Sequence, residues 1–108
     1  MIKVVYLVRR KQRLRPKAFQ DHWLNTHAPL AASIPGLREF RINTSLEPGD
    51  PIPTDFDGMA EMLFDNRKVY LEALQSPEWE AVRQDALKFI DSSMEILTRE
   101  HIIVPLRS

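Results

Sequence analysis

Two hydrophobic periods alternate along the chain and predict its elements. Short runs rich in β-branched and aromatic residues have the length of strands, whereas longer segments repeat apolar residues every three to four positions, as helices do. Four strands are predicted at Ile2–Val8, Leu37–Ser45, Phe56–Phe64 and Met94–Val104. Helices are predicted at Pro16–Ser33, Asp65–Gln75 and Ser76–Ile90, with Asp65 and Ser76 as N-caps.

The order strand, helix, strand, strand, helix, strand predicts the fold. This split βαβ order is typical of the α+β, ferredoxin-like arrangement (βαββαβ), in which two helical segments lie on one face of a four-stranded antiparallel sheet. The third strand is apolar on both sides near its middle, at Met59 and Leu63 as well as at Ala60 and Met62. Because the helices cover one face only, we expect a second copy of the chain to cover the other and form a two-fold dimer.

Two features lie beside these strands. Glu61 stands between apolar neighbours, where an unpaired carboxylate would be costly to bury, and Arg41 on the preceding strand is the expected partner in a structural ion pair at the subunit interface. The segment from Glu47 to Asp55 is too rich in proline for a sheet interior and predicts a loop. Such a loop either covers a pocket or is an ordinary surface excursion.

The first helix carries the residue of most chemical interest. His27 falls on the same apolar face as Phe19 and Trp23, one turn after the tryptophan. Pro29 has no N–H and disfavours the α conformation at Ala28, so we expect the helix to kink or restart just after His27. A histidine there is either a core residue satisfied by the backbone or a general acid/base in a partly apolar site.

The other histidines and Trp23 have simpler interpretations. His22 points about 100° away from the apolar stripe and is expected at the rim or in solvent. His101 is expected to pair with a carboxylate or to face solvent. Trp23 is either a core residue or the wall of a ligand pocket. His22 and His27 are five residues apart and lack the i, i+4 pairing of helical zinc sites, so no metal ligand is predicted.

Composition narrows the class of protein. The 108 residues predict one domain spanning 1–108, and the zero formal net charge argues against nucleic acid as the main partner. The absence of cysteine excludes disulfides and thiolate chemistry. No apolar run is long enough to span a bilayer and no secretion signal is apparent, so a cytoplasmic protein without a membrane partner is expected. The basic run from Arg9 to Arg15 is either a solvated loop or a docking patch for an anionic ligand.

Several segments together resemble the EthD family. They are YLVRRK, FQDHWLNTHAPLAASIPGLREF, FDGMAEMLFD, SPEW, KFID and REHII, and they cover nearly the whole chain; the pattern W-x3-HAPL-x4-PG is the most specific. The resemblance implies ferredoxin-like subunits that form dimeric α+β barrels. It also implies an association with ethyl tert-butyl ether degradation, and with relatives that are dehydratases or cyclases of aromatic polyketides.

A more distant resemblance is to methylmuconolactone methylisomerase, through the helix histidine and the following PGL turn. It places His27 at that enzyme's histidine, but Phe40 where the enzyme has a tyrosine and Met62 where it has a cysteine. Without the phenol and the thiol, that isomerisation is not expected here. The resemblance implies that His27, Phe40 and Met62 face one cleft, with which the helix and strand periods are compatible.

Three functions follow as hypotheses. The first is a cofactor-independent lyase, isomerase or dehydratase acting on a small hydrophobic or aromatic metabolite, with His27 as acid/base and a pocket shaped by Trp23, Phe40 and Met62, with Tyr6 as a polar contact. The second is a non-catalytic module that binds a hydrophobic metabolite or serves an oxygenase system. The third is a haem-binding oxygenase with His27 as axial ligand. The first two require no cofactor.

Overall fold

Four strands form one antiparallel sheet in the computed structural model, which describes residues 1–51 and 55–108. The strands are β1 (Ile2–Arg10), β2 (Glu39–Thr44), β3 (Gly58–Phe64) and β4 (Ile90–Thr98), in the spatial order β2-β3-β1-β4. The helices are α1 (Pro16–His22), α2 (Ala28–Ala32), α3 (Arg67–Ala73) and α4 (Pro77–Phe89), with a π-helical segment (Trp23–His27) joining α1 to α2. The predicted ferredoxin-like fold is confirmed. The centre of the predicted 47–55 loop, residues 52–54, lies outside the described residues.

Strand register decides which side chains face the helices. Val4 on β1 pairs with Met62 on β3, and Met62 pairs with Phe40 on β2. Since side chains on paired positions share a face, these three and Tyr6, two residues beyond Val4, all point to the helical layer. Lys3 and Glu61 lie on the opposite, open face.

Two groups of buried residues form the core between sheet and helices. One contains Val4, Met62, Phe64, Tyr70, Trp79 and Val82, and the other contains Val8, Phe19, Trp23, Ala60 and Phe89. Tyr6 and Phe40 are partly buried and pack against both groups. The space between the groups is where a cavity opens, as described below.

The helix around Pro29 restarts as α2 at Ala28, just after His27, which is one of the two outcomes that the sequence predicts. Ala28 nevertheless keeps α-helical torsions (φ −57°, ψ −43°), the conformation that a following proline disfavours. The chain instead widens into the π segment just before the proline, where the N–H of Ala28 donates to the carbonyl of Trp23, five residues back. A π turn accommodates a residue that cannot supply the normal helical hydrogen bond, and such turns are frequent at functional sites.

Both predicted bounds of the last strand, Met94 and Val104, are wrong, since β4 spans Ile90–Thr98. Helix α4 stops at Phe89, and Ile90 is already extended (φ −100°, ψ 127°), so the expected break at 91–93 is absent. Within the described residues β4 pairs with β1 alone, and it ends at Thr98, which lies opposite Lys3 near the start of β1. Glu100 and His101 therefore lie in the exposed segment after the strand.

The predicted ion pair between Glu61 and Arg41 is not formed among the described residues. Glu61 is paired with Lys3 (Nζ to Oε1, 3.2 Å) and with Asn43 (3.0 Å), whereas Arg41, although opposite Glu61 in the register, pairs with Glu39 at 2.9 Å. The buried ammonium of Lys3 also contacts Glu100. A buried cation needs anionic partners, so Lys3 rather than the exposed Arg41 meets the carboxylate.

Helix N-caps and the basic side chains of residues 9–15 make further contacts within the fold. The oxygen of Asn66, rather than Asp65, caps α3 by accepting from the N–H of Val69, while Ser76 caps α4 as predicted. Within the basic run, Arg10 pairs with Asp57 (3.3 Å), and Arg13 donates to the carbonyl of Lys88 (2.8 Å). The guanidinium of Arg9 lies 4.2 Å from the ring centre of Phe56. These cations are thus engaged within the fold.

Candidate active site

The π segment buries His27 and directs one of its nitrogens at a carboxylate. Nδ1 of His27 lies 2.7 Å from Oδ2 of Asp85 on α4, a contact between residues 58 positions apart. An ionised carboxylate can only accept, so Nδ1 carries the hydrogen and donates it. The other ring nitrogen, Nε2, has no hydrogen bond to any residue in the described ranges. The neutral ring therefore holds a lone pair on Nε2, as a general base requires.

Asp85 is a member of this candidate site that sequence reasoning missed. It lies inside the apolar stripe of α4, three residues after Val82 and four before Phe89, and only 4% of its surface is exposed. A carboxylate at such a position must find buried donors, because leaving it unpaired is costly. Its position within the stripe was the signal available in the sequence, but nothing local identifies the donors.

His22 occupies the predicted rim but is not simply a solvent residue. Its side chain is 26% exposed, and Nε2 lies 3.0 Å from Oδ2 and 3.2 Å from Oδ1 of Asp85. The ring of Phe89 packs against both imidazoles, with centres 4.6 Å from His22 and 4.8 Å from His27. The site thus contains two histidines that share one buried carboxylate.

Burial and hydrogen bonding set the charge states of this group. Burial lowers the pKa of His27 below its ordinary value of 6.5, and the opposing hydrogen bond to Asp85 does not cancel that effect. Burial alone would raise the pKa of Asp85, but the hydrogen bonds from His27 and His22 outweigh it, so the pKa of the carboxyl falls below its ordinary value of 3.8. At neutral pH His27 is therefore neutral and Asp85 is ionised.

The lowered pKa of His27 predicts a loss of stability in mild acid. Below pH 6.5 the unfolded chain binds a proton at this residue more readily than the folded chain does, so the free energy of unfolding decreases as pH falls from 6.5 toward the lower folded pKa. His27→Asn keeps a donor to Asp85 without the titration and is expected to reduce this decrease. Urea midpoints at about pH 7.5 and about pH 5.5 measure the difference. An identical decrease in both proteins would contradict the lowered pKa.

A cavity of about 180 Å³ opens beside His27, between the two core groups. The five residues predicted for the site all line it: His27, Tyr6, Trp23, Phe40 and Met62. The rest of the wall is Val8, Ala60, Trp79, Val82, Arg83, Ala86, Ile90 and Ser93. Because most of these side chains are apolar, the cavity suits a small hydrophobic molecule.

Polar groups are few around the cavity. The hydroxyls of Tyr6 and Tyr70 lie 3.2 Å apart, and burial raises the pKa of Tyr6 far above its ordinary value, so this phenol stays protonated. Arg83 is held by Glu80 (3.0 Å) and by the carbonyl of Leu74 (2.9 Å). His27 is thus the wall residue whose nitrogen is best suited to exchange a proton near neutral pH.

A second cavity, of about 200 Å³, is polar and lies near the foot of the loop between β2 and β3. It contains none of the predicted site residues, and its Asp57 is already paired with Arg10.

Within residues 1–51 and 55–108, no cluster of three or more His, Cys, Asp or Glu side chains has an arrangement suited to a metal ion. Over the same ranges, no helix is both long and apolar enough to cross a membrane.

Comparison with known proteins identifies the family. The family model described as the EthD domain matches residues 11–93, which is most of the chain. The chain belongs to the EthD family. The match includes the π segment with His27, the cavity walls on β2 and β3, and Asp85 on α4.

Three similar proteins can be named, of which the first is itself an EthD family protein. An EthD family protein from Bacillus halodurans has a crystal structure that is 29% identical, covers 94% of this chain and 99% of its own, and has a TM-score of 0.78. An uncharacterized 11.0 kDa protein from the thcB–thcC intergenic region of Rhodococcus erythropolis is 26% identical, over 83% of this chain and 87% of its own. A dimeric ferredoxin-like protein of unknown function from Thermobifida fusca shares the fold, with 16% identity over 89% of this chain and 87% of its own and a TM-score of 0.70.

Proposed function

We propose that this EthD domain binds a small, apolar, single-ring compound in the cavity beside His27, and that Nε2 of His27 acts on it as a general base. The observation that carries the proposal is the hydrogen bond of 2.7 Å between Nδ1 of His27 and Asp85. It keeps the hydrogen on Nδ1 and leaves Nε2 to accept a proton from a ligand. This supports cofactor-independent lyase, isomerase or dehydratase chemistry.

The size of the cavity supports a single ring. An apolar cavity of about 150 Å³ is sufficient to bind benzene. The cavity here is about 180 Å³ and is open on one side, so one ring with a short substituent fits, whereas a fused polycyclic molecule extends beyond the walls. The protonated phenol of Tyr6, 3.2 Å from the hydroxyl of Tyr70, is a polar group in the same space.

Deuterium exchange tests this base directly. In D₂O, a base at the cavity removes an α-hydrogen from 4-methylcyclohexanone and returns deuterium to the enolate. Wild-type protein is expected to accelerate the exchange, and His27→Asn, which keeps a donor to Asp85 but lacks Nε2, is expected to lose about 10²–10⁴-fold of the acceleration. 2-Decalone, with two fused rings, serves as the size control. Binding is followed by the fluorescence of Trp23 and Trp79, which both line the cavity.

The alternative function is binding without chemistry, either as a module for a hydrophobic metabolite or as an accessory to an oxygenase system. The same cavity supports it, with His27 only orienting the ligand. If 4-methylcyclohexanone binds but exchanges no faster than in buffer, the base function is contradicted and the binding function is favoured.

The open face of the sheet supports a homodimer. It carries a band of apolar side chains on three strands: Val5, Leu7, Met59, Leu63, Met94 and Ile96. Two copies related by a two-fold axis bury this band by packing face to face, which is the arrangement that the family resemblance implies. The Thermobifida fusca protein of the same fold is described as dimeric.

A matched pair of substitutions tests the dimer. Ile96 on the open face and Leu71 on α3 are similarly exposed, at 48% and 50%. Ile96→Lys is expected to shift the protein from dimer to monomer because it places a charge within the apolar band, while Leu71→Lys leaves the dimer intact. Sedimentation equilibrium measures both. A wild-type monomer, or a dimer unaffected by Ile96→Lys, would contradict this interface.

A further inference from the structure

His22 and His27 approach the same carboxylate from different segments of the chain. His22 ends α1, His27 ends the π segment, and Asp85 faces both from α4. His27 uses Oδ2 alone, whereas His22 reaches Oδ2 and Oδ1 at 3.0 and 3.2 Å. Because Asp85 accepts from both, neutral His22 must carry its hydrogen on Nε2 while neutral His27 carries its own on Nδ1.

We propose that His22 is a positioning residue for His27: its Nε2–H fixes the Asp85 carboxylate in the orientation that holds the hydrogen of His27 on Nδ1. This inference rests on the proposed function, in which Nε2 of His27 is the base. His22 lines no part of the cavity wall and acts only through Asp85. It therefore sets the protonation geometry of the base without contacting a ligand.

A second hydrogen-bond donor is needed because the carboxylate of an aspartate can rotate about its terminal side-chain torsion. The terminal torsion of an aspartate side chain is broad, so one hydrogen bond leaves the group free to rotate. A second donor that spans both oxygens removes that freedom. Such supporting hydrogen bonds around a reactive group, in metal sites where they have been measured, change function by about 10–100-fold when removed.

Sharing one negative charge also couples the two rings. If His22 is protonated, it attracts the Asp85 carboxylate and so weakens the attraction between that carboxylate and His27. The positive charge of His22 also lowers the pKa of His27. The ammonium of Lys88 is also close to this pair, with its Nζ 3.9 Å from Oδ1 of Asp85. The titration of His27 is thus expected to depend on the state of His22.

Two variants separate positioning from packing. His22→Gln places an amide N–H at the position of Nε2 and keeps the donor, whereas His22→Leu removes the donor. The ¹⁵N shifts of His27 at neutral pH report which nitrogen carries the hydrogen, and a pH titration of the same signals reports the coupling. Exchange of 4-methylcyclohexanone in D₂O reports function.

Wild type and His22→Gln are expected to show His27 as one tautomer, with the hydrogen on Nδ1, and similar exchange rates. The pKa of His27 is expected to be higher in His22→Gln, because no positive charge at position 22 lowers it. His22→Leu is expected to give a mixture of tautomers and an exchange rate lower by about 10–100-fold. An unchanged tautomer in a folded His22→Leu protein would overturn the positioning role. If the tautomer changes but wild type accelerates no exchange, positioning stands and the proposed function fails.

Discussion

Replacing Asp85 by asparagine is expected to lower the exchange of 4-methylcyclohexanone by about 10²–10⁴-fold while leaving the protein folded. The substitution preserves shape but removes the negative charge that stabilises His27 when Nε2 has taken a proton. Both histidines donate to Oδ2 of Asp85 and His22 also reaches Oδ1, and the amide replaces one of these two acceptor oxygens by an NH2 donor. Initial exchange rates at several pH values measure the effect.

Asp91→Asn is the matched control for this prediction. Asp91 is exposed at the start of β4, so the same chemical change there should leave the exchange rate unaltered. Equal rates in wild type and Asp85→Asn would show that the buried carboxylate does not support the base.

Replacing Trp23 by alanine is expected to have the largest effect on stability, about 3–5 kcal/mol. The indole is almost completely buried and packs against Phe19, with ring centres 5.3 Å apart. It also lies directly over Gly58, where an added Cβ would stand 2.4 Å from its Cζ3. The neighbouring strand thus has no side chain able to fill the space that the indole leaves. Urea unfolding measures the loss.

Leu24→Ala provides the comparison for Trp23→Ala. Leu24 is the next residue of the π segment but is exposed, so its truncation is expected to change the free energy of unfolding by no more than about 0.5 kcal/mol. Similar losses at the two positions would show that the π segment is not anchored through its buried face.

Periodicity in the sequence predicts the parts of the site that depend on one element at a time. Helical spacing put His27 and Trp23 on one apolar face. The resemblance to methylmuconolactone methylisomerase, with which strand alternation is compatible, put Phe40 and Met62 in a common cleft with His27. The structure places all of these at one cavity because adjacent strands pair Phe40 with Met62. The order of elements was sufficient for the fold, since few topologies satisfy it.

Contacts between distant segments could not be predicted in the same way. Asp85 meets His22 and His27 only because α4 packs across the first helical region, and no local pattern encodes that approach. Glu61 forms its ion pair with Lys3 rather than with Arg41, because side chains in a sheet contact diagonal neighbours as well as the residues opposite them in the register. The end of β4 was set by its partner strand rather than by its own apolar residues.

Pro29 correctly predicts the place of an irregularity in the first helix but not its form. A proline inside a helical pattern predicts that the α-helix is interrupted, and the π segment interrupts it. The chain widens into the π turn before the proline, and both Trp23 and His27 in this segment are buried. The local rule identifies the place of the irregularity but does not predict that a π turn forms there.

The ¹⁵N spectrum of His27 near neutral pH tests the central claim most directly, because its shifts distinguish a nitrogen that carries hydrogen from one that does not. The account predicts hydrogen on Nδ1, a bare Nε2, and a change in the Nε2 shift when p-cresol, a single-ring phenol, enters the cavity. Hydrogen on Nε2, a doubly protonated ring, or an Nε2 shift indifferent to p-cresol at concentrations that quench Trp23 and Trp79 would contradict it.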